Sequence, residues 1–245
     1  MTITPETTVS DAALEQLRRV STATLTTQLF KRGLRNVFIQ NVKPLVPVEP
    51  GRPNLVGPAF TLRNIPARED LDHVGAFQDP NHPQRKAIET APPGSVLVQD
   101  CRQERSVGSV GSILAARLKV RGVAGMVSDG PVRDSASIAA TGLPLYCAGA
   151  AAPLNLAKHH AVDINLPIAC GGVAVYPGDI IVGDTDGVVV VPRHLAEEVA
   201  RDAAEQELLE QYLTTRIEAG RPLPGTYPPN DETLAGFAAW RKDRG

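Results

Sequence analysis

Apolar positions change their period several times along the chain, and each change marks an element. About ten polar residues, expected to be mobile, come first. Residues 11–15 then start a short helix. Ser21-Thr22 can cap a second over residues 22–31, which presents Leu25 and Leu29 on one face and closes at Gly33. Residues 38–48 alternate weakly, and residues 57–62 read as a buried strand. Residues 63–86 are polar and carry Asp79-Pro80 and His82-Pro83. They read as an ordered surface excursion, either a lid or an interface segment.

The turn Pro92-Pro93-Gly94 leads into a short buried strand, residues 96–100, ending on the carboxylate of Asp100. The loop Gly108-Ser109-Val110-Gly111 opens an amphipathic helix over residues 112–121. A buried strand over 122–128 follows, and the tight turn Asp129-Gly130-Pro131 ends in the adjacent opposite charges Arg133 and Asp134. A short helix over 135–140 stops at Gly142, and a strand resumes over 143–147. His159 and His160 precede a strand over 162–166; being adjacent, they point apart and do not readily share one ion, so they take structural or interface roles. Short strands over 173–175, 180–182 and 187–191 follow, and hairpin geometry accounts for Asp184 and Asp186. From Arg193 a long amphipathic helix runs to about residue 219, ended by Gly220 and Pro222. The tail after it holds Tyr227, Phe237 and Trp240, enough aromatic surface to dock, and an oligomer interface is the expected place for it. The pattern predicts one α/β domain over residues 21–195, preceded by an extension over 1–20 and followed by a helix and tail over 196–245.

Composition narrows the function classes. The 245 residues are 42% hydrophobic and 21% charged, with a net charge of −2, as in an ordinary globular protein. Without a basic excess nucleic acid has no electrostatic foothold. No apolar run reaches the ~18 residues that span a bilayer, and the polar start does not read as a signal peptide, so a cytoplasmic protein is expected. Cys101, Cys147 and Cys170 are odd in number and widely spaced, which argues against a disulfide framework and a zinc cluster. Cys147 and Cys170 read as buried fillers.

Candidate chemistry concentrates between residues 100 and 134. The loop glycines let backbone amides approach an anion at the helix start, where Gly111, Ser112, Ile113 and Leu114 are the candidate substrate-binding positions. Arg133 can clamp a carboxylate with two parallel hydrogen bonds. Asp134 offers a hard oxygen to Mg2+ or Mn2+. The charged loop after Asp100 reads as one wall of this site, with Glu104 and Asp100 placed to hold water on a metal; Arg102 and Arg105 read as solvated charges.

Two blocks carry a resemblance. Gly111-x-x-Leu114-Ala115 followed by Arg121-Gly122-Val-x-Gly125-x-Val127-x-Asp129-Gly130-x-x-Arg133-Asp134 is similar to the signature of the RraA-like family. Pro177-Gly178-Asp179-x-x-x-Gly183-Asp184-x-Asp186-Gly187, running on to Pro192, resembles that family's second hallmark. The family includes class II 4-hydroxy-4-methyl-2-oxoglutarate (4-carboxy-4-hydroxy-2-oxoadipate) aldolases with oxaloacetate decarboxylase activity, and non-enzymatic regulators that bind ribonuclease E. The resemblance implies a swivelling β/β/α sandwich, assembled as a homotrimer or homohexamer with sites between subunits. It further implies a metal-dependent lyase acting on a 2-oxo acid, with catalysis at Arg133, Asp134 and Glu104, and an acidic residue of the C-terminal helix, Glu205 or Glu207, reaching a neighbouring site. One departure stands out: Ser112 occupies the position where the aldolases usually carry an acidic residue, and a hydroxyl cannot serve as a carboxylate base. Either Glu104 or Asp100 substitutes, or the reaction is a dehydration or isomerisation of a sugar-derived 2-oxo acid. A non-catalytic regulator is the reading from another class.

Overall fold

The runs that read as buried strands lie side by side. In the computed structural model, which describes residues 8–243, β2 (Leu55–Pro66), β3 (Val96–Asp100), β4 (Gly125–Ser128) and β5 (Leu145–Cys147) pair in parallel in that order. Every residue of β3 and β4 is buried, as covered parallel strands require. Helices α3 (Pro83–Thr90), α4 (Ser112–Val120) and α5 (Ser135–Thr141) join successive strands. The loops leaving β3 and β4 therefore emerge together at the carboxyl ends of adjacent parallel strands, where open α/β sheets form their crevices.

β2 organises the remainder. Its first residues pair antiparallel with β9 (Ile180–Gly183), which forms a hairpin with β10 (Val188–Val191). Its last residues, from Leu62 to Pro66, pair antiparallel with β6 (His159–Ile164), with a register shift between Arg63 and Asn64. β1 (Lys43–Pro44) closes the far edge on β5, and β7 (Ile168–Cys170) and β8 (Val173–Val175) make a separate ribbon. One core lies between the sheet and α3, α4 and α5, around Leu97, Leu118, Met126 and Ile138. A second packs α1 (Asp11–Leu17), α2 (Thr22–Lys31) and the long α6 (Ala196–Glu218) on β9 and β10. A third, around Val98, Val127 and Ile181, fills the space between β3, β4, β9 and the β7–β8 ribbon.

Most predicted elements are present, with four corrections. The polar stretch 63–86 is not one excursion: β2 runs on to Pro66, and α3 begins at Pro83. Proline suits the first helical turn, where its missing N–H would have no partner anyway. The segment between holds a 3-10 turn, Val74–Gln78, and is fastened by Asp72, which accepts from the Arg68 amide and lies 2.8 Å from His160 Nδ1. α4 is not cleanly amphipathic, since Ala115 and Leu118 are buried while Ile113 and Val120 are 83% and 77% exposed. β7 was not expected. Neither was α7 (Asp231–Lys242), capped by Asn230, which sets Phe237 and Trp240 against Tyr212 of α6 with ring centroids 5.8 and 5.6 Å away. The expectation for the chain's start falls largely on residues 1–7, outside the described residues. All three cysteines are buried, and no helix among the described residues is long and apolar enough to cross a membrane.

Candidate functional site

Backbone hydrogen bonds lace the loop after β3 to the loop after β4 and to the segment after β5. Gly108 N donates to Pro153 O, Ser109 N to Pro131 O at 2.7 Å, and Arg133 N to Val110 O at 2.9 Å. Gln84, buried in the first turn of α3, adds a hydrogen bond from Nε2 to Ser109 O at 2.8 Å. The approach is too close for side chains: a Cβ on Gly108 would lie 2.7 Å from Arg133 N, and one on Gly111 would lie 3.1 Å from Asp134 Oδ2. The glycines thus serve to bring the helix start against the arginine–aspartate pair.

The result is a cavity of about 400 Å³. Gly111, Ser112, Ile113, Leu114, Arg133 and Asp134 all line it, so the structure brings six of the sequence-derived site residues together. Gly111 is the α4 N-cap and offers no side-chain cap. Among the described residues the amides of Ile113 and Leu114 have no acceptor, which leaves two donors at the positive end of the helix. Ser112 donates from N and Oγ to Asp134 Oδ2 over long distances of 3.4 Å each. Asp134 takes a left-handed backbone conformation, φ 58° and ψ 37°, a state that aspartate and asparagine tolerate better than most residues. Its carboxylate stays close to half exposed, at 45%, with Arg133 Nε 4.0 Å away.

The charged loop after Asp100 is not part of this wall. Glu104 is absent from the lining and turns back to accept from Ser106 N and Oγ, hydrogen bonds that hold its carboxyl below the usual carboxylate range. Asp100 is buried and accepts from Arg102 N, and burial pushes its pKa upward. Asp129 does related structural work, accepting from the amides of Cys101, Gln103 and Gly171. Cys101 is fully buried, and burial raises its thiol pKa, which makes a reactive thiolate unfavourable. His159 is buried and His160 partly exposed, on opposite sides of β6 as adjacent positions dictate.

Sequence reasoning missed Phe77, Gln84, Arg85, Leu154 and Asn155 on the same cavity. His82-Pro83 was the available signal for the α3 start that carries Gln84 and Arg85. A larger cavity, about 540 Å³, lies against α2 around Thr26, Phe30 and Phe38. Arg35 and Asp186 are the only charged residues in its lining, and the α2 start that borders it is already capped, with Thr22 N donating to Asp184 and Thr24 N to Ser21 Oγ, so the smaller cavity is the chemically equipped one.

Open amides at a helix start, beside an arginine–aspartate pair at the ends of adjacent parallel strands, define an α/β protein with a polar crevice at the carboxyl ends of its strands. The chain belongs to the RraA-like family (Aldolase/RraA), whose model matches residues 7–190. It is 32% identical over 212 residues to a Halalkalibacterium halodurans protein named "Putative 4-hydroxy-4-methyl-2-oxoglutarate aldolase", covering 85% of this chain and 91% of that one. Among solved structures it is similar to Streptomyces coelicolor RraAS2, described as an unusual member of the RNase ES inhibitor RraA protein family. That likeness has a TM-score of 0.73 and 30% identity, covering 85% of this chain and 98% of RraAS2. An uncharacterized Pseudomonas syringae pv. tomato protein matches with a TM-score of 0.75 and 25% identity, over 90% of this chain and 99% of that one.

Proposed function

We propose that the protein is a divalent-metal-dependent carbon–carbon lyase that cleaves a 4-hydroxy-2-oxo acid, or decarboxylates oxaloacetate, to give pyruvate. The observation that carries this reading is the convergence of Arg133, Asp134 and the open amides of the α4 start on one cavity. The names of relatives in Halalkalibacterium halodurans and Azotobacter vinelandii support the lyase class.

The residues present fit magnesium or manganese. Such cations keep several waters and take one or two carboxylates, and Asp134 presents a carboxylate whose protein contacts are all long. Asp134 would hold the ion, with the Ser112 hydroxyl beside it. When bound, the cation supplies Lewis acidity toward the 2-oxo oxygen.

Arg133 would take the substrate carboxylate in two parallel hydrogen bonds, and the Ile113 and Leu114 amides would add donors at the positive end of α4. Held at both points, the C3–C4 bond has a fixed orientation. Its cleavage leaves enolate charge beside the Arg133 guanidinium. The proton of the 4-hydroxyl must also leave. Asp134 is the only carboxylate among the lining residues, so the proton would pass to water held at Oδ2 and return from that water to C3 of the enolate, which gives pyruvate. Ser112 would orient that carboxylate without acting as a base. The oligomer, a homotrimer or homohexamer with shared sites, belongs to the same proposal. Within one chain Glu207 accepts from Ser21 N, and Glu205 pairs with Arg241.

Two other readings remain distinct. The serine at position 112 favours a dehydratase or isomerase using the same enolate stabilisation. The likeness to RraAS2 favours a regulator of a ribonuclease E-type enzyme. The deciding experiment strips metal from the protein and follows pyruvate release from 4-hydroxy-4-methyl-2-oxoglutarate and oxaloacetate, with and without Mg2+ or Mn2+. Metal-restored release that is lost in Asp134→Asn supports the lyase. Metal binding without pyruvate turns the assignment to dehydration, and ribonuclease binding without either turns it to regulation.

A further inference from the structure

Three buried side chains behind the site form a hydrogen-bond chain with one consistent direction. Cys101 follows β3, Ser109 lies in the glycine loop and Ser128 ends β4, and none of the three is exposed. Ser109 Oγ lies 2.8 Å from Pro131 O. A carbonyl only accepts, so the single proton of Ser109 goes there. The 3.1 Å contact between the two serine hydroxyls is therefore donated by Ser128. Ser128 Oγ, its proton used, accepts from Gly130 N at 3.2 Å and from the Cys101 thiol at 3.4 Å. Burial opposes the thiolate and so keeps that thiol a donor. The chain ends on Pro131, two residues before Arg133. Proline has no N–H, which leaves its carbonyl as its one backbone hydrogen-bonding group. That carbonyl takes the Ser109 amide as well, at 2.7 Å.

We propose that Ser109 and Ser128, with Cys101 behind them, are positioning residues that hold the turn carrying Arg133 and Asp134 against the start of α4. Their part in turnover rests on the lyase reading above. Backbone hydrogen bonds join the two loops only to each other, through Ser109 N to Pro131 O and Arg133 N to Val110 O. The hydroxyl chain ties that joint to the ends of β3 and β4, so the loops inherit the rigidity of the sheet, as a supporting shell does for a site. The Arg133 side chain is long enough to follow a bound carboxylate through a small shift of the turn. Alignment of the breaking bond with Asp134 tolerates much less. Loss of the chain therefore acts on kcat more than on KM.

The test combines hydrogen exchange of the Arg133 amide with pyruvate release from oxaloacetate in the presence of Mg2+, on the full chain. Ser109→Ala and Ser128→Ala should each speed that exchange about tenfold or more and lower kcat by a similar factor, with a much smaller change in KM. Cys101→Ala cuts the chain farther from the site, which guards against a folding failure of the serine variants, and should show the same effects in weaker form. Cys101→Ser keeps a donor and should restore turnover. The infrared S–H stretch of Cys101, identified by its loss in Cys101→Ala, should move to higher frequency in Ser128→Ala, which removes its acceptor. A lowered urea midpoint with unchanged exchange at Arg133 would show a merely structural role and overturn the proposal. So would a Cys101 S–H band that stays in place in Ser128→Ala. Absence of pyruvate from the unmodified protein overturns the lyase reading, and the exchange and infrared measurements then decide the chain by themselves.

Discussion

Gly111 and Asp134 stand close across the two loops of the site: a Cβ at Gly111 would sit 3.1 Å from Asp134 Oδ2 and 3.3 Å from Arg133 Cγ, so the pair would have to give way to admit it. Both atoms belong to side chains that can swing away, so Gly111→Ala should melt near the unmodified protein while displacing the pair. Pyruvate release should fall about tenfold to a hundredfold, the usual effect of small misplacements in a site. Gly108→Ala differs in kind, because its Cβ would meet Arg133 N and Ala151 O, backbone atoms at 2.7 and 2.8 Å. That variant should lose about 1–3 kcal/mol of stability. Urea melts of the two variants decide it: equal destabilisation would mean that Gly111 is structural like Gly108.

The backbone at Asp134 sets how its charge should be tested. At φ 58° an alanine carries left-handed strain of about 1–2 kcal/mol, so Asp134→Ala confounds folding with chemistry. Asparagine tolerates the conformation and removes only the charge. Asp134→Asn should keep its melting temperature and lose both the heat of Mg2+ binding and metal-dependent pyruvate release. Full metal binding by this variant would remove Asp134 as the ligand.

The parts of the fold that were legible in the sequence are those with a strong local cause. Apolar runs bounded by turns located β3, β4, β9 and β10, and Ser21 marked the α2 start through its cap. The site was legible where two sequence neighbours carry it, as at Arg133-Asp134. The remainder depended on partners far along the chain. Phe77, Arg85 and Asn155 converge only because β6 and α3 pack beside β2, and no local pattern encodes that. Glu104 was attractive for its charge, but Ser106, two residues on, captures the carboxylate in a local turn. α7 has no buried residue, so its periodicity is weak, and its position follows from aromatic contacts with α6.

Those contacts give a spectroscopic prediction. Trp240 is the only tryptophan in the chain and lies against Tyr212, so its emission reports whether α7 is docked. Gly236 faces the Tyr212 hydroxyl so closely that a methyl group there would clash with it. Gly236→Ala should therefore red-shift the tryptophan emission and open the α6–α7 contact, leaving the cavity at the α4 start intact. An unchanged spectrum would show that α7 adjusts without leaving α6.

His159 supplies the pH dependence. It is fully buried, and neither ring nitrogen has a partner among the described residues. Burial is the main cause that lowers its pKa from 6.5 to about 4, and the nearby Arg102 adds to the effect. Between these values the unfolded chain binds a proton that the folded protein does not, so acid favours unfolding. The contribution of neutral His159 is fully present above pH 6.5 and is lost as pH falls through about 4. At ~1.4 kcal/mol per pH unit the whole effect is about 3 kcal/mol. Carboxylates titrate in the same range, so the useful quantity is the difference from His159→Leu, which fills much of the site and carries no proton. Urea midpoints measured from pH 4 to 8 should rise more steeply toward pH 6.5 in the unmodified protein than in the variant, and the two should run parallel above it. Parallel profiles across the whole range would mean that His159 finds a proton acceptor in solution.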